Sequence, residues 1–313
     1  MQFFSNRTHQ TKVGMALSEI ANLTSGVIQG SGIGPVMLII FIDDLSKLLE
    51  NYGISIKLFA DDVKLYLKID KVNDAGRLQV ALDLLSDWAN EWQLSVPVSK
   101  CSVLNIRHAP CNVNFSIAGC ALPNVNFCRD LGVTMTSTLS ISRHINDIAT
   151  KAHQRANCIL GSFVSGDVAL LVRAFTVYVR PIVEYNSVIW SPQTKLEIKN
   201  IEKVQRRFTK RIMGFNCIKY EQRISKLVFW TLVLRRLHID LIFCYKIVFG
   251  LVSVNFYDFF TFRTVTNTRG HKYKLYKSHC QCNTRRFFFA ERVINKCLEL
   301  IAAKCKFLIA CLI

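Results

Sequence analysis

The chain has 313 residues, half of them apolar, with twelve cysteines and 40 Lys or Arg against 22 Asp or Glu, a formal net charge of +18 at pH 7. That length accommodates about two domains with real cores, and no stretch reaches the ~18 consecutive apolar residues of a bilayer-spanning helix. The charge is uneven: residues 1–100 carry 9 basic and 11 acidic side chains, residues 101–313 carry 31 and 11, so the second part has the composition of a polyanion binder, nucleic acid first, with a solvated basic face as the plainer alternative.

The N-terminal residues Met1–Arg7 hold no apolar region of signal-peptide length, which leads to an expectation of a reducing, intracellular setting. The cysteines agree: they are scattered among apolar runs without a Cys-x-x-Cys pair, and buried thiols are the default reading. Cys280 and Cys282 with His271 or His279 are the one arrangement that approaches zinc spacing, and no second close pair supports it.

In chain order, residues 3–25 read as extended. A loop follows, Ser25-Gly26-Val27-Ile28-Gln29-Gly30-Ser31-Gly32-Ile33-Gly34-Pro35, whose four glycines in nine positions permit positive φ and close approach of a ligand. It opens onto an apolar helix predicted over Pro35 to Leu49, with proline at the start where it is tolerated. No Gly-Lys-Ser or Gly-Lys-Thr follows, which excludes a Walker-type phosphate loop, and no strand with a ribose-binding acid stands at dinucleotide-fold spacing.

Ile54 to Tyr66 alternates apolar and polar on both sides of Ala60-Asp61-Asp62, the pattern of a β-hairpin carrying two carboxylates at its tip. Adjacent acids repel unless a cation sits between them, and a divalent ion bound through oxygen is the usual one. A polar turn is the competing explanation, since Asp is a common turn former. Leu78, Leu82, Leu85, Trp88, Ala89 and Trp92 then recur at helical spacing over residues 73–93, and Pro97 precedes a strand predicted over Cys101–Ile106. Further strands are expected around Ala118-Gly119-Cys120 and at Arg129-Asp130-Leu131-Gly132-Val133. From Ser140 the period becomes helical: a long helix from His144, another over Asp167–Val179, a third over Lys195–Met213, a helix or helix pair over residues 221–250, and a last helix over Phe287–Ile301. Lys203, Arg206, Arg207, Lys210 and Arg211 fall within three turns of the third and form a basic surface able to contact phosphates.

Taken in this order and spacing, the glycine loop, its helix and Phe59-Ala60-Asp61-Asp62 resemble the reverse transcriptases of non-long-terminal-repeat retrotransposons, jockey-like elements especially. In that family the loop reads Ser-Gly-Val-Pro-Gln-Gly-Ser-x-Leu-Gly-Pro; here Ile28 replaces the proline and Ile33 the leucine, and Asp43-Asp44-Leu45 stands for an Asn-Asp-Leu-type tripeptide. Trp88, Trp92 and Lys100-Cys101 resemble the segment after the hairpin, and Arg129 to Val133 the strand that grips the primer. Arg180 to Tyr185, Trp190-Ser191-Pro192 and Ile201 to Lys210 resemble the helical region beyond the palm. Phe288 to Ile294 resembles a segment near the family's C-terminus, with Cys297 where a tryptophan is usual.

The resemblance implies an α+β fold: part of a polymerase palm over residues 1–136, a basic helical thumb-like domain over 137–256, and a basic tail with a terminal helix over 257–313. It implies an RNA-directed DNA polymerase, a nucleotidyltransferase working on an RNA template, a DNA primer and deoxynucleotides through two Mg2+ or Mn2+ ions, with no membrane and no small-molecule cofactor. Asp61 would be a direct metal ligand with Asp62 beside it. Gln29, Gly30 and Gly34 would lie near the incoming nucleotide and template base, Arg7 at the template, and Lys100 would serve as general acid to pyrophosphate or simply face solvent. The family's third carboxylate stands on a strand upstream of the loop. Only 25 residues precede Gly26, and their one acid, Glu19, is misplaced; Asp43 and Asp44, at the far end of the helix, are poor substitutes. The expectation is therefore an N-terminally truncated chain with half a metal site and no polymerase activity alone. A non-catalytic nucleic-acid-binding remnant and an incomplete gene product that never folds stably are the competing readings.

Overall fold

The apolar residues of the glycine-loop helix recur so that Ile42, Leu45 and Leu49 share one face, and that stripe organises the first part of the molecule. The computed structural model describes residues 6–24, 26–28, 30–106, 114–163, 166–263 and 273–302. It divides into two units, Met1–Val125 and Asn126–Ile313, with a mixed α+β composition.

The first unit begins with two short antiparallel pairs: β1 (Arg7–His9) with β4 (Ala21–Leu23), and between them β2 (Lys12–Val13) with β3 (Ala16–Leu17). Helix α1 (Gly34–Glu50) follows, then the hairpin of β5 (Ser55–Phe59) and β6 (Asp62–Tyr66), then α2 (Val72–Glu91). Ile42, Leu45 and Leu49 of α1 pack with Ile54 and Ile56 at the hairpin and Ala81, Leu85 and Trp88 of α2. Asp74 starts α2 by accepting from the backbone N–H groups of Asp70 and Lys71, which holds its carboxyl below the usual range. Beyond a short 3-10 turn at Val98–Lys100, β7 (Val103–Leu104) pairs in parallel with β10 (Asn124–Val125), and β8 (Ser116–Ile117) forms a hairpin with β9 (Cys120–Ala121).

The second unit opens with β11 (Phe127–Asp130) and β12 (Val133–Thr136), an antiparallel hairpin where the residue pattern suggests one strand. Leu131 and Gly132 both take positive φ, +43° and +84°, the demand of a two-residue type I′ turn, and only the glycine advertises it. A Cβ on Gly132 would stand 3.0 Å from the Tyr185 ring, whose hydroxyl donates to the Leu131 carbonyl at 3.1 Å. Helices follow: α3 (Ser142–Ser162), α4 (Val168–Ala174), α5 (Ser187–Trp190), α6 (Lys195–Lys210), α7 (Tyr220–Lys226), α8 (Leu232–Val248), α9 (Phe256–Phe259), α10 (Asn283–Arg286) and α11 (Phe289–Ala302). α4 continues through a wide π turn at Phe175–Val179 into a 3-10 turn ending at Val183.

Ile145, Ile148, Ala152, Phe175, Trp190, Ile201, Val204 and Phe208 form the larger core. A second core joins α8 to α11 through Leu241, Ile247, Phe289 and Val293. Beside it the Arg292 guanidinium grips the buried Asp240 carboxylate at 2.9 and 2.8 Å and also donates to the Val188 carbonyl at 2.9 Å. The cysteine expectation needs correcting: Cys244 is buried, but Cys120 on β9, Cys158 on α3, and Cys217 and Cys282 outside the helices are exposed. Among the described residues no helix is long and apolar enough to cross a membrane.

Candidate functional site

The position of Asp61 and Asp62 follows from strand register. Ile56 opposes Leu65 and Leu58 opposes Val63, so these four share the face turned to α1 and α2, while Phe59, Asp62 and Lys64 stand on the other. Phe59 pairs with Asp62, leaving Ala60 and Asp61 as a two-residue loop. Ala60 takes φ +51°, a left-handed conformation that a hairpin turn matched to strand twist requires and that is unfavourable for a residue with a Cβ. Both carboxylates are exposed. They are oxygen donors of the kind Mg2+ or Mn2+ accepts. Among the described residues, however, no three His, Cys, Asp or Glu side chains come together, so the pair fits part of a two-ion donor set and does not complete one.

The glycine loop is open at Gly26, Gly30 and Gly32, where a Cβ would meet nothing within 4 Å, and closely packed at Gly34. Gly26 and Gly30 have φ +79° and +81°, the Arg7 guanidinium donates to the Gly26 carbonyl at 2.5 Å, and Ser31 Oγ accepts from the Gly34 N–H at 3.1 Å. A Cβ on Gly34 would stand 3.2 Å from both Ser31 Oγ and Val27 Cγ2, so its glycine is a packing requirement at the start of α1. Gln29 lies outside the described residues. Asp43 and Asp44 sit mid-helix rather than at the far end of α1, exposed, with Asp43 paired to Lys47 at 2.5 Å. Lys100 is exposed at the end of its 3-10 turn, and no hydrogen bond or ion pair joins it to Asp61 or Asp62. Of the zinc candidates, His271 lies outside the described residues, and Cys280 and Cys282 join no three-ligand group among them.

In the second unit α6 is fixed by a reciprocal cap. Thr194 Oγ1 accepts from the Glu197 N–H at 3.2 Å, and Glu197 Oε2 accepts from the Thr194 N–H at 3.0 Å. Ile201, Val204 and Phe208 face the core, which turns the basic residues outward. The five predicted cations are all exposed, but they divide. Arg206 lies over the Tyr220 ring, 4.7 Å from its centroid. Arg207, Lys210 and Arg211 line a cavity of about 310 Å3 between α6 and α3, floored by Ala156, Leu160, Val204 and Phe208. Arg211 Nη1 donates to Asn157 Oδ1 across it at 2.6 Å.

His153 of α3 shares this cavity. Burial, then Arg207 and Lys203, holds its imidazole below the usual histidine value. Neither His153 nor Asn157 was singled out by sequence reasoning, because each lies some fifty residues from its α6 partners and no local motif marks them. An open groove with an apolar floor and a cationic rim suits a phosphodiester backbone.

Residues 6–154 match the reverse transcriptase (RNA-dependent DNA polymerase) family, a span that includes the glycine loop, α1 and the β5–β6 hairpin. The chain is 27% identical over 222 residues to the probable RNA-directed DNA polymerase from transposon X-element of Drosophila melanogaster, covering 68% of this chain. It is 25% identical over 224 residues to the RNA-directed DNA polymerase from mobile element jockey of the same organism, again covering 68%. In both cases the match covers 24% of the relative, so the chain spans about a quarter of the length of these curated relatives. No solved structure matches significantly. Over residues 6–154 the chain is thus similar to the reverse transcriptase family, and over some 220 residues to the RNA-directed DNA polymerases of Drosophila mobile elements.

Proposed function

We propose that this chain is the hairpin-bearing part of an RNA-directed DNA polymerase joined to a nucleic-acid-binding helical unit, acting on an RNA template, a DNA primer and deoxynucleotides. The carrying observation is the order glycine loop, α1, Asp61-Asp62 turn, with the turn held in register by the core it shares with α1 and α2. Divalent ions, Mg2+ or Mn2+, would activate the primer hydroxyl and offset phosphate charge when bound. Asp61 and Asp62 supply two carboxylates toward such a site, and the described residues assemble no third. Gly30, with nothing within 4 Å of a would-be Cβ, would leave the backbone open to the nucleotide, and Gly34, packed at the start of α1, would hold that loop in place, with Gln29 in the same loop; Arg7 braces the loop through Gly26 and would face the template. Lys100 is assigned to the leaving pyrophosphate. Lys203, Arg206, Arg207, Lys210 and Arg211 contact nucleic-acid backbone, the groove residues most strongly.

That no third carboxylate joins Asp61 and Asp62 among the described residues favours a second reading, a chain that binds nucleic acid without catalysis. Binding of an RNA–DNA duplex as a function of salt tests the interface common to both. Affinity is expected to fall steeply with salt, to drop in Arg207→Gln with a shallower slope, and to be unchanged in Asp61→Ala. Salt-independent binding, or binding indifferent to Arg207, sinks the interface.

A further inference from the structure

A second concave site in the helical unit is untouched by the reading above. Arg180, Arg235, Gln205, Trp230 and His238 line a cavity of about 200 Å3, with Val228 at its edge. Its electrostatics are unbalanced. Arg235 forks onto the Glu184 carboxylate, with Nη2 to Oε2 at 3.0 Å, while Arg180 Nε stands 3.9 Å from the same carboxylate and makes no hydrogen bond among the described residues. Both guanidinium groups are largely shielded, with side-chain exposures of 24% and 27%.

The adjoining Arg236 is buried with Nη1 unpartnered, and burial lowers its guanidinium to about 10 despite the attraction of Glu202, Glu184 and Asp240. Glu202 is already spent on the Tyr220 hydroxyl and the Leu232 N–H. Three arginines thus gather around Glu184. A desolvated cation with uncommitted donors is costly unless an anion completes it.

The same cavity offers an aromatic platform. Trp230 remains 49% exposed although its carbonyl is anchored by Gln205 Nε2 at 3.0 Å, and the His238 ring meets it edge-on at 5.6 Å. Val228, 86% exposed, holds φ +54° where a helix ending favours glycine, so a branched apolar side chain is kept at the rim at some backbone cost. Indole surface beside unspent guanidinium is the arrangement that takes a base and its phosphate from a single strand.

We infer that the Arg180–Trp230–His238 cavity binds one nucleotide of single-stranded nucleic acid, its base stacked on Trp230 and its phosphate completing Arg180. This site is distinct from the α3–α6 groove and does not depend on the catalytic reading of the hairpin. The cavity is small, so it takes one nucleotide while the neighbouring phosphates remain in solvent.

The test titrates the full chain with fluorescent oligo(U) RNA and oligo(dT) DNA of about 12 nucleotides, within the site sizes usual for single strands, over a range of salt. Trp230→Ala is expected to weaken binding about tenfold without changing the salt slope, and Trp230→Phe to recover most of the loss. Arg180→Gln is expected to weaken binding and to reduce the slope by about 0.7, the contribution of one single-strand phosphate. The two oligomers distinguish RNA from DNA as the source of the nucleotide.

Photo-crosslinking of 4-thiouridine oligomer to the unaltered protein gives a readout independent of variant folding, with Trp230 expected in the labelled peptide. Wild-type binding unaffected by Trp230→Ala and Arg180→Gln in variants that melt cooperatively, or labelling confined to peptides without Trp230, overturns the proposal. If Arg207→Gln alone weakens binding, the α3–α6 interface stands and this site falls.

Discussion

The two units solve the problem of burying apolar surface differently. The first carries 10 basic and 11 acidic residues, and all its sheets among the described residues are two-stranded. Its α1 buries Ile42, Leu45 and Leu49 but leaves Ile39 and Ile40 exposed at 65% and 64%. The second carries 30 basic against 11 acidic residues and wraps α3, α4 and α6 around wholly buried Phe175, Trp190, Ile201 and Val204. The catalytic-type carboxylates therefore stand on a thin scaffold with an uncovered apolar face, whereas the cationic grooves stand on a well-packed one. Polymerase-type chemistry needs carboxylates held in a shared, rigid geometry, while phosphate binding needs only charge on a stable surface. Of the two proposed roles, phosphate binding has the firmer scaffold beneath it.

Substitutions can break or sharpen that contrast. The largest effect is expected at the Asp240–Arg292 pair, where Arg292→Ala strips a buried carboxylate of its hydrogen-bonded partner and should cost about 3–5 kcal/mol in a denaturant melt. A loss below about 1 kcal/mol would mean that the second unit is less tightly packed than described. Leu49→Ala, in the core of α1 and α2, should cost about 2–4 kcal/mol and lower divalent-ion affinity at the hairpin, because the turn is held by that core.

Next is a pH effect in the second unit. His144 is buried, accepts from the Thr134 N–H at 3.2 Å, and is held below the usual histidine value chiefly by burial, then by Arg129 and Lys151 against the opposing pull of Asp147. The unfolded chain takes up a proton near pH 6.5 while the folded chain resists it, so stability is full above that pH. As pH falls from 6.5 toward the lower folded value, stability should drop by up to about 1.4 kcal/mol per unit. His144→Gln should flatten that slope. The smallest effect is expected at the uncovered face: Ile40→Lys should change stability by less than about 0.5 kcal/mol. A cost above 2 kcal/mol would show that the face is covered in solution.

Much of this was legible from residues alone. The spacing of Leu78, Leu82, Leu85 and Trp88 gave α2, the alternation from Ile54 to Tyr66 gave the hairpin, and the helical period over Lys195–Met213 gave α6. Helix ends and strand pairs were harder. Leu131 takes positive φ as the first position of the two-residue β11–β12 turn, a conformation its side chain does not advertise, and the packing of Tyr185, 54 residues away, over Gly132 is a tertiary contact that no local pattern reveals. The region from 221 to 250 divides into α7 and α8 at Val228, where an exposed branched residue adopts the conformation usually left to glycine. In the site, the Asp61-Asp62 tip and the cationic stripe of α6 were readable as local patterns. The inclusion of His153 and Asn157 in the groove and the approach of Arg235 and Arg236 to Glu184 depend on packing between helices about fifty residues apart, and the diversion of Arg206 onto Tyr220 on packing between the consecutive helices α6 and α7.

Primer extension is the most direct measurement. The purified chain is mixed with an RNA template, a DNA primer and deoxynucleotides in Mg2+ or Mn2+, and duplex binding is followed in the same samples. With two carboxylates in place and no third among the described residues, the expected result is salt-sensitive duplex binding without nucleotide addition. Template-dependent synthesis that disappears in Asp61→Ala would contradict it and show that the chain completes its own metal site.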